Sequence, residues 1–389
     1  MKAKKKKIVV NISVFILKVC RRLRLGAWAK VWSYWLMRMF ERPKNINMTL
    51  EEAEKLLQAI YPDHFSSALC ENMIIKPAEY DLQIVVPVYK VESFLEECLQ
   101  SVLDQKTKYS YHIVAVNDGS PDKCGELLKK YENDERITVI TQENRGLSSA
   151  RNAALNIIRA KYITFLDSDD LLAPYAIERL LDAAYKYDVD IVEGSYRRRT
   201  IDGKLFSGER CLYNGVSSRE KLKGFSCMKV IKAEIFEHIH FPEGYWFEDT
   251  LMGMLVIPLA QSFATIKDDV YYYTCNANSI SFMSYDSYKS IDGVYITRSL
   301  LMDAKKCGAL ETAPEYQYHH FLQQIRNNWM RTHRLSSDIE LAMFVIACDL
   351  WEKYFSKGSH CAKKHLMNME SALMTKDFNK FRKTCCVDF

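Results

Sequence analysis

Three acidic side chains follow the end of an apolar segment. Residues 162–166 are mostly apolar, and Asp167, Asp169 and Asp170 come directly afterwards. Burying a carboxylate is unfavourable unless a positive group meets it, so acids at the end of a core strand suit a divalent cation that prefers oxygen ligands. Two other interpretations stay open: Asp169 or Asp170 caps a helix that starts near Pro174, or the acids form a surface turn.

The sequence around these acids alternates between strand-like and helix-like segments. The predicted strands are 83–88, 111–116, 137–141, 162–166 and 189–192, and the predicted helices are 92–105, 123–133 and 147–160. Strands that alternate with helices of about ten to fifteen residues predict an α/β fold, with a mostly parallel sheet flanked by helices. Ligands bind at the carboxyl ends of the strands in such sheets. We therefore expect Tyr89, Asp118 and residues 167–170 to converge on one edge of the sheet.

Length and charge limit the classes of protein to which the chain can belong. Its 389 residues suffice for one large domain or two ordinary ones. The net charge of +5 hides an asymmetry: residues 1–40 contain seven Lys and four Arg without an acid and carry +11, so residues 41–389 carry −6. Phosphate recognition needs clustered basic charge on the folded domain. We therefore expect no nucleic-acid partner.

The basic N-terminal segment carries a tryptophan stripe. Trp28, Trp32 and Trp35 recur at helical spacing among basic residues. Basic amphipathic helices of this kind favour in-plane binding to an anionic membrane surface, although the stripe could instead pack against the folded domain. The apolar run at 8–19 is too short to span a bilayer, which needs about 20 apolar residues. Scattered cysteines indicate a reducing compartment, so we predict a cytoplasmic protein that is peripheral at the inner face of the cell membrane.

Six motifs along the chain occur in an order that is typical of one enzyme family. They are Val85–Tyr89, Cys98–Gln105, Asn117–Ser120, Glu143–Asn152, Asp167–Asp170 and Phe247–Thr250. The combination resembles glycosyltransferase family 2 of the bacterial surface-polysaccharide type over residues 81–285. This resemblance implies a GT-A fold, a nucleotide-sugar donor, a divalent metal and inversion at the transferred sugar carbon.

The resemblance, together with the composition on either side of it, divides the chain into three parts. Residues 81–289 are expected to form a Rossmann-like GT-A glycosyltransferase domain. Residues 1–80 would be a basic amphipathic membrane-associating segment with a connector, in which Thr49 begins a helix. Residues 290–389 would be a helical C-terminal region.

The resemblance implies a nucleotide site at the ends of the first strands. Asp118 would accept a hydrogen bond from a base N3–H, which uracil has and cytosine lacks, so the site favours UDP. Pro87 and Tyr89 would wall the base, and Glu92 and Arg151 resemble family positions near the nucleotide. Simpler roles stay open, because Asp118 can form an Asx-turn that caps the next helix and Arg151 can be a helix-surface arginine.

Asp167 and Asp169 resemble the metal-binding acids of the family. Asp169 is expected to be the direct ligand, while Asp167 contacts the ribose or a metal-bound water. Mn²⁺ or Mg²⁺ would neutralise the charge that gathers on the departing diphosphate, which is a Lewis-acid role. Asp170 either completes this acidic group or, as we expect, caps the following helix.

The acidic pair Glu248-Asp249 supplies the predicted catalytic residues. An acceptor hydroxyl must lose its proton as it attacks, and a carboxylate within hydrogen-bond reach can remove it, which contributes about 10²–10⁴-fold. We assign this role to Asp249 and an orienting role to Glu248. The two acids can also begin a helix that runs to Ile257, because negative charge is favourable at the N-terminus of a helix.

Together these assignments predict a metal-dependent inverting hexosyltransferase. It would move a sugar from a UDP-sugar to a saccharide acceptor, with a lipid-linked saccharide as one candidate, in surface polysaccharide synthesis. Thr274 departs from the pattern, because relatives often carry arginine there. The alternative is a catalytically silent member that binds a nucleotide sugar, or a membrane scaffold.

Overall fold

The computed structural model describes residues 47–71, 77–276, 279–284, 287–358 and 366–387. They form two compact units, one of residues 62–324 and one of the described residues before and after that range. The basic segment 1–46 lies outside the described residues, and its binding to a membrane stays a prediction. Within the described ranges, no helix is both long and apolar enough to cross a membrane.

A ten-stranded sheet forms the centre of the larger unit. Its strands are β1 (Tyr80–Val88), β2 (Tyr111–Asp118), β3 (Ile137–Gln142), β4 (Ala160–Phe165), β5 (Leu171–Leu172), β6 (Ile191–Arg199), β7 (Leu205–Glu209), β8 (Gly215–Ser217), β9 (Lys229–Lys232) and β10 (Phe263–Thr274). Their order is β3-β2-β1-β4-β9-β6-β10-β5, with β7 beside β6 and β8 beside β10.

Six of these strands run in the same direction. Parallel pairing joins β1 to β2 and β4, β2 to β3, and β6 to β10, while β9 runs against both β4 and β6. The carboxyl ends of β1, β2, β3, β4, β6 and β10 therefore lie at one edge of the sheet. This is the edge at which the sequence analysis expects the site.

The described helices alternate with the strands in the first half of the chain and follow one another in the second half. They are α1 (Leu50–Ile60), α2 (Leu95–Leu103), α3 (Cys124–Lys129), α4 (Leu147–Leu155), α5 (Ala176–Tyr187), α6 (Ile257–Leu259), α7 (Ile280–Met283), α8 (Asp292–Lys306), α9 (Ala309–Thr312), α10 (Pro314–Thr332), α11 (Ser337–Tyr354), α12 (Met367–Met374) and α13 (Phe378–Val387). Helix α4 packs on β1 and β2, and α5 packs on β6 and β10. The predicted α/β fold with a mostly parallel sheet is confirmed.

Pro87 lies inside β1 although proline has no N–H for a strand partner. The strand is central, with β2 on one side and β4 on the other. Pairing with β4 ends at Val85 and Phe165, so Pro87 lies where β1 has a partner on only one side. The buried strand can therefore carry a proline at its carboxyl end.

The predicted helix start at Thr49 is confirmed by a capping box. The Thr49 hydroxyl accepts a hydrogen bond from the N–H of Glu52 at 3.3 Å, and Glu52 Oε2 accepts from the N–H of Thr49 at 2.8 Å. This reciprocal pair satisfies two backbone donors at the start of α1. In the same smaller unit α1 packs on α11.

Two predicted regions differ in extent from the observed ones. The strand expected at 189–192 continues to Arg199, because β6 forms a hairpin with β7 whose turn contains Gly203 at a φ of +89°. The larger unit extends on both sides of 81–289. Our assignment of 81–289 to one domain stays a prediction, whereas the helical character expected after residue 290 is observed.

Candidate active site

Asp118 is the last residue of β2, and its buried carboxylate organises the turn before α4. Its Oδ1 accepts hydrogen bonds from Gln142 Nε2 at 2.8 Å and from the N–H of Arg145 at 3.0 Å. Its Oδ2 accepts from the N–H of Gly146 at 2.8 Å, and Gly146 holds a φ of +91° at the helix start. A carboxylate has about four acceptor positions, so a further donor fits. Recognition of a base by Asp118 stays a prediction.

The alternative role of Asp118, an Asx-turn that caps the next helix, is wrong. The neighbouring Asn117 supplies the turn, because its Oδ1 accepts from the N–H of Ser120 at 3.0 Å. Helix α3 begins behind Asp122, whose Oδ1 accepts from the N–H of Cys124 at 3.1 Å.

Arg151 on α4 connects three acids from distant parts of the chain. Its Nη2 donates to Asp167 Oδ1 at 2.8 Å, and its Nη1 donates to Glu248 Oε1 at 2.8 Å and to Asp249 Oδ1 at 3.5 Å. The arginine side chain is only 1% exposed, so the alternative of a helix-surface arginine is wrong. The structure thus brings three of the predicted site residues to one guanidinium. Contact between Arg151 and a nucleotide stays a prediction.

The charges of Arg151 and the three carboxylates around it shift the pKa values of Arg151 and Glu248. Burial lowers the pKa of Arg151, but Asp167, Glu248 and Asp249 together raise it above its usual value. Burial raises the pKa of Glu248 to about 7, which Arg151 opposes and Asp249 increases. Burial therefore favours the protonated form of Glu248, while the ion pair with Arg151 favours its charged form.

Asp169 and Asp170 make separate contacts beyond the end of β4. Asn276 Nδ2 donates to Asp169 Oδ2 at 3.1 Å. Burial and the neighbouring Asp167 raise the pKa of Asp169. Asp170 accepts from the N–H of Thr274 at 2.6 Å, and so it ties the acidic turn to β10. The expected helix cap by Asp170 is wrong, since α5 begins without a side-chain cap.

Tyr271 on β10 forms hydrogen bonds to both ends of the acidic turn, residues 167–170. Its hydroxyl donates to Asp170 Oδ2 at 2.7 Å and accepts from the N–H of Asp167 at 3.3 Å. Sequence reasoning missed this residue. The signal was the apolar context of Tyr271, because a buried tyrosine hydroxyl usually needs a polar partner.

The predicted catalytic pair begins a helical turn, as the sequence indicated. The N–H of Thr250 donates to the carbonyl of Phe247, and helical structure continues to Leu259. Asp249 remains 35% exposed, and its Oδ1 accepts from the N–H of Ser226 at 3.2 Å. Ser226 carries no sequence signal for this role because it acts through its backbone.

Of the predicted nucleotide residues, Pro87 lies near the end of β1, and Tyr89 and Glu92 lie in the segment that follows the strand. Tyr89 is exposed, and the ammonium of Lys90 lies 5.0 Å from the centroid of its ring. Glu92 points its carboxylate at the start of α3, where Oε2 accepts from the N–H of Lys123 at 2.9 Å. No contact links Glu92 to the Arg151 cluster within the described residues, and its nucleotide role stays a prediction.

The carboxylates of Asp167 and Asp169 suit a divalent cation that also binds the phosphates of a nucleotide. Among the described residues, no group of three or more His, Cys, Asp or Glu side chains is arranged to hold a metal. Mg²⁺ in nucleotide sites usually takes one or two carboxylates and completes its shell with phosphates and water. Asp167 raises the pKa of the partly buried Asp169, and a bound cation would offset that repulsion.

Comparison with known proteins gives a consistent picture. The model of the family described as Glycosyl transferase family 2 matches residues 83–249. Glycosyltransferase GlyA of Streptococcus pneumoniae is 35% identical over 51% of this chain and 31% of its own length. The minor teichoic acid biosynthesis protein GgaB of Bacillus subtilis is 30% identical over 54% of this chain and 24% of its own length. The chain thus spans less than one third of these two relatives.

The fold is similar to that of a solved structure that holds a nucleotide sugar. The crystal structure of S. aureus TarS 1-349 in complex with UDP-GlcNAc matches with a TM-score of 0.64 and 17% identity, over 78% of this chain and 90% of that chain. This likeness confirms the predicted GT-A fold. Sequence, fold and the order of the motifs agree, and residues 83–249 match glycosyltransferase family 2.

Proposed function

We propose that this protein is a metal-dependent inverting glycosyltransferase that moves a sugar from a UDP-sugar to a saccharide acceptor. The observation that carries the proposal is the Arg151 cluster. It joins Asp167, next to the predicted metal ligand, with Asp249, the predicted base, although 82 residues separate the two acids in sequence. A transferase needs these two functions close together, because the acceptor attacks the same anomeric carbon that the diphosphate leaves.

The donor site is assigned to the carboxyl edge of β1 and β2. Pro87, Tyr89 and Asp118 would contact the base, and Glu92 would complete this end of the site. The presence of UDP-GlcNAc in the TarS complex supports a nucleotide-sugar donor. Arg151 is proposed to act on the nucleotide through Asp167, because its guanidinium already contacts three carboxylates.

Asp169, with Asp167 beside it, would hold Mn²⁺ or Mg²⁺. When bound, such an ion supplies positive charge that stabilises the departing diphosphate. Asp170 instead accepts hydrogen bonds from Tyr271 and Thr274, and these bonds stabilise the conformation of the turn.

Asp249 would take the proton of the acceptor hydroxyl. The acceptor oxygen then forms a bond to the anomeric carbon while the bond from that carbon to the diphosphate oxygen breaks, and the electron pair leaves with the diphosphate. A single displacement of this kind inverts the configuration. Glu248, which shares Arg151 with Asp249, would keep the base in place.

The proposed cellular setting is the surface of the cell membrane. The +11 charge of residues 1–40 favours an anionic membrane surface. The similarity to GgaB, a minor teichoic acid biosynthesis protein, supports a role in surface polysaccharide synthesis, for which we propose a saccharide or lipid-linked acceptor. Sedimentation of the full chain with phosphatidylglycerol vesicles, compared with neutral phosphatidylcholine vesicles, tests the membrane contact. Equal binding to both, or to neither, contradicts it.

UDP release from a panel of nucleotide sugars, with and without Mn²⁺, tests the reaction. Asp169→Ala is expected to lower turnover by on the order of 10²–10³-fold, because a metal contributes several kcal/mol of charge stabilisation. Asp268→Ala is the matched control, since Asp268 is a half-exposed acid paired with Arg179. Unchanged turnover in Asp169→Ala rejects the metal assignment. Binding of UDP without transfer to any acceptor identifies a silent member instead.

A further inference from the structure

A buried ion pair fixes the loop that precedes β9. The side chains of Lys229 and Glu193 are both fully buried, with Nζ 3.2 Å from Oε2. Lys229 Nζ also donates to the carbonyls of Phe225 at 2.5 Å and of Cys227 at 3.3 Å. Glu193 accepts from the N–H of Lys223 at 2.9 Å. Two side chains away from solvent therefore hold three backbone groups of one loop.

This loop, residues 223–228, also contacts the candidate base. The N–H of Ser226 donates to Asp249 Oδ1 at 3.2 Å. Met228 ends the loop with a φ of +59°, which non-glycine residues adopt only rarely. The surrounding contacts therefore impose the shape of the loop.

Phe225 shares a peptide bond with Ser226 and keeps its ring at the surface. Its exposed fraction is 43%. A single exposed aromatic side chain is ordinary on a protein surface. Phe225 differs because the peptide that joins it to Ser226 is held on both sides. The N–H of Ser226 donates to Asp249 and the carbonyl of Phe225 accepts from Lys229, so the backbone of Phe225 is fixed next to a residue that contacts the base.

We propose that Phe225 is the platform on which the acceptor sugar ring lies next to Asp249. A pyranose has one face of C–H groups, and an aromatic ring offers a rigid apolar surface that matches it. A sugar ring placed there has its hydroxyls next to the carboxylate that accepts the proton. This inference rests on the proposed function and assigns acceptor recognition to the 223–228 loop, with Lys229 as its positioning residue.

Kinetics of the full chain with saccharide acceptors separate acceptor binding from donor binding. Phe225→Ala is expected to raise the acceptor KM by about 3- to 10-fold, the size of one aromatic contact, with the donor KM and acceptor-free UDP release unchanged. Phe225→Tyr retains the ring and is expected to stay within about twofold of the wild type. Met302→Ala, at an equally exposed apolar residue on α8, is the matched control.

Calorimetric titration of cellobiose and chitobiose onto the UDP-saturated protein gives a second measurement that needs no turnover. Weaker binding by Phe225→Ala than by the wild type and Phe225→Tyr supports the platform. An unchanged acceptor KM, equal saccharide binding by all variants, or no binding by the wild type overturns it. An equal rise in donor and acceptor KM also overturns it. If the wild type binds the saccharides but releases no UDP from any donor, the proposed reaction fails while the platform stands.

Discussion

The side chains of Arg151 and Glu248 form an ion pair of 2.8 Å in which the arginine is 1% and the glutamate 9% exposed. The same guanidinium reaches Asp167 at 2.8 Å. Since Arg151 lies on α4 and the acids follow β4 and precede α6, one residue fixes two separate chain segments at the carboxyl edge of the sheet.

Replacement of Arg151 is expected to damage stability and transfer to different degrees. Arg151→Met leaves Glu248 buried without its cation, and removal of one partner of a buried pair costs about 3–5 kcal/mol. Arg151→Lys keeps the charge but not the planar fork that serves three carboxylates, so we expect a folded protein with reduced transfer. Denaturant unfolding and UDP release measure the two effects.

A second arginine provides the control for this experiment. Arg159 pairs with Glu79 at 3.2 Å near the surface, and an exposed pair contributes about 0–1 kcal/mol. Arg159→Met is therefore expected to unfold at nearly the wild-type denaturant concentration. Equal stability losses at Arg151 and Arg159 would contradict the central role of the cluster.

The sheet edge was predictable because strand order along the chain determines it. Apolar runs that end in polar residues marked β1, β2 and β4, and parallel pairing then placed Asp118 and Asp167 at one edge. The antiparallel insertion of β9 between β4 and β6 was not predictable, since it depends on a four-residue strand whose partners are distant in sequence.

The partners of the site residues were harder to predict than the residues themselves. Arg151 follows the Gly146 turn in a recognisable motif, but its three acid partners depend on tertiary packing. The contact of Asp170 with Thr274 likewise comes from β10, about a hundred residues later. Local sequence rules favoured a helix cap at Asp170 because they do not take account of contacts with a strand so distant in sequence.

The raised pKa of Glu248 predicts a pH dependence of stability. Burial raises it from an ordinary value of 4.5 to about 7, with Arg151 opposing and Asp249 and Asp167 adding to the shift. The folded state then binds the proton more tightly than the unfolded chain. This contribution to stability is complete below pH 4.5 and is lost as the pH rises to about 7.

Glu248→Gln removes this titration but keeps a side-chain oxygen that can accept from Arg151. Relative to the wild type, the variant is expected to gain unfolding free energy between about pH 5 and about pH 8. Denaturant unfolding at several pH values measures the difference. A constant difference across that range would show that Glu248 is already ionised in the folded protein at low pH.

The Lys229–Glu193 pair allows stability and loop position to be separated. Lys229→Met alone leaves Glu193 buried and unpaired, which costs about 3–5 kcal/mol. Replacing both residues by methionine removes both charges and is expected to restore most of the stability. The double variant nevertheless lacks the donor to the Phe225 carbonyl, so transfer is expected to stay low.

Lys232 on the same strand is the matched control for this pair. It pairs with Asp190 at 3.0 Å and is partly exposed, so Lys232→Met is expected to cost less than Lys229→Met. Wild-type transfer by the Lys229 and Glu193 double variant would show that the loop keeps its position without the buried ammonium.

Gly253 lies in the helical turn that follows Asp249, and close packing against this glycine is expected to hold the base in position. A Cβ on this residue would lie 2.0 Å from Cε1 of His320, whose ring stacks on Tyr316 and whose Nε2 is 3.2 Å from Gln324 Nε2. Because the ring is held on two sides, Gly253→Ala is expected to cost about 1–3 kcal/mol by overpacking. The affected turn contains the hydrogen bond from Met252 to the Asp249 carbonyl, so transfer is also expected to fall.

Two further variants identify the clash as the cause. Gly125→Ala adds the same methyl group to α3, where its nearest neighbour is Asn117 Nδ2 at 3.4 Å, and it is expected to stabilise the helix by about 0.5–1 kcal/mol. His320→Ala combined with Gly253→Ala removes the obstructing ring, so the combined loss is expected to be smaller than the sum of the single losses. Additive losses in thermal unfolding would show that His320 is not what the methyl group meets, and that the turn before α6 depends on Gly253 for its backbone alone.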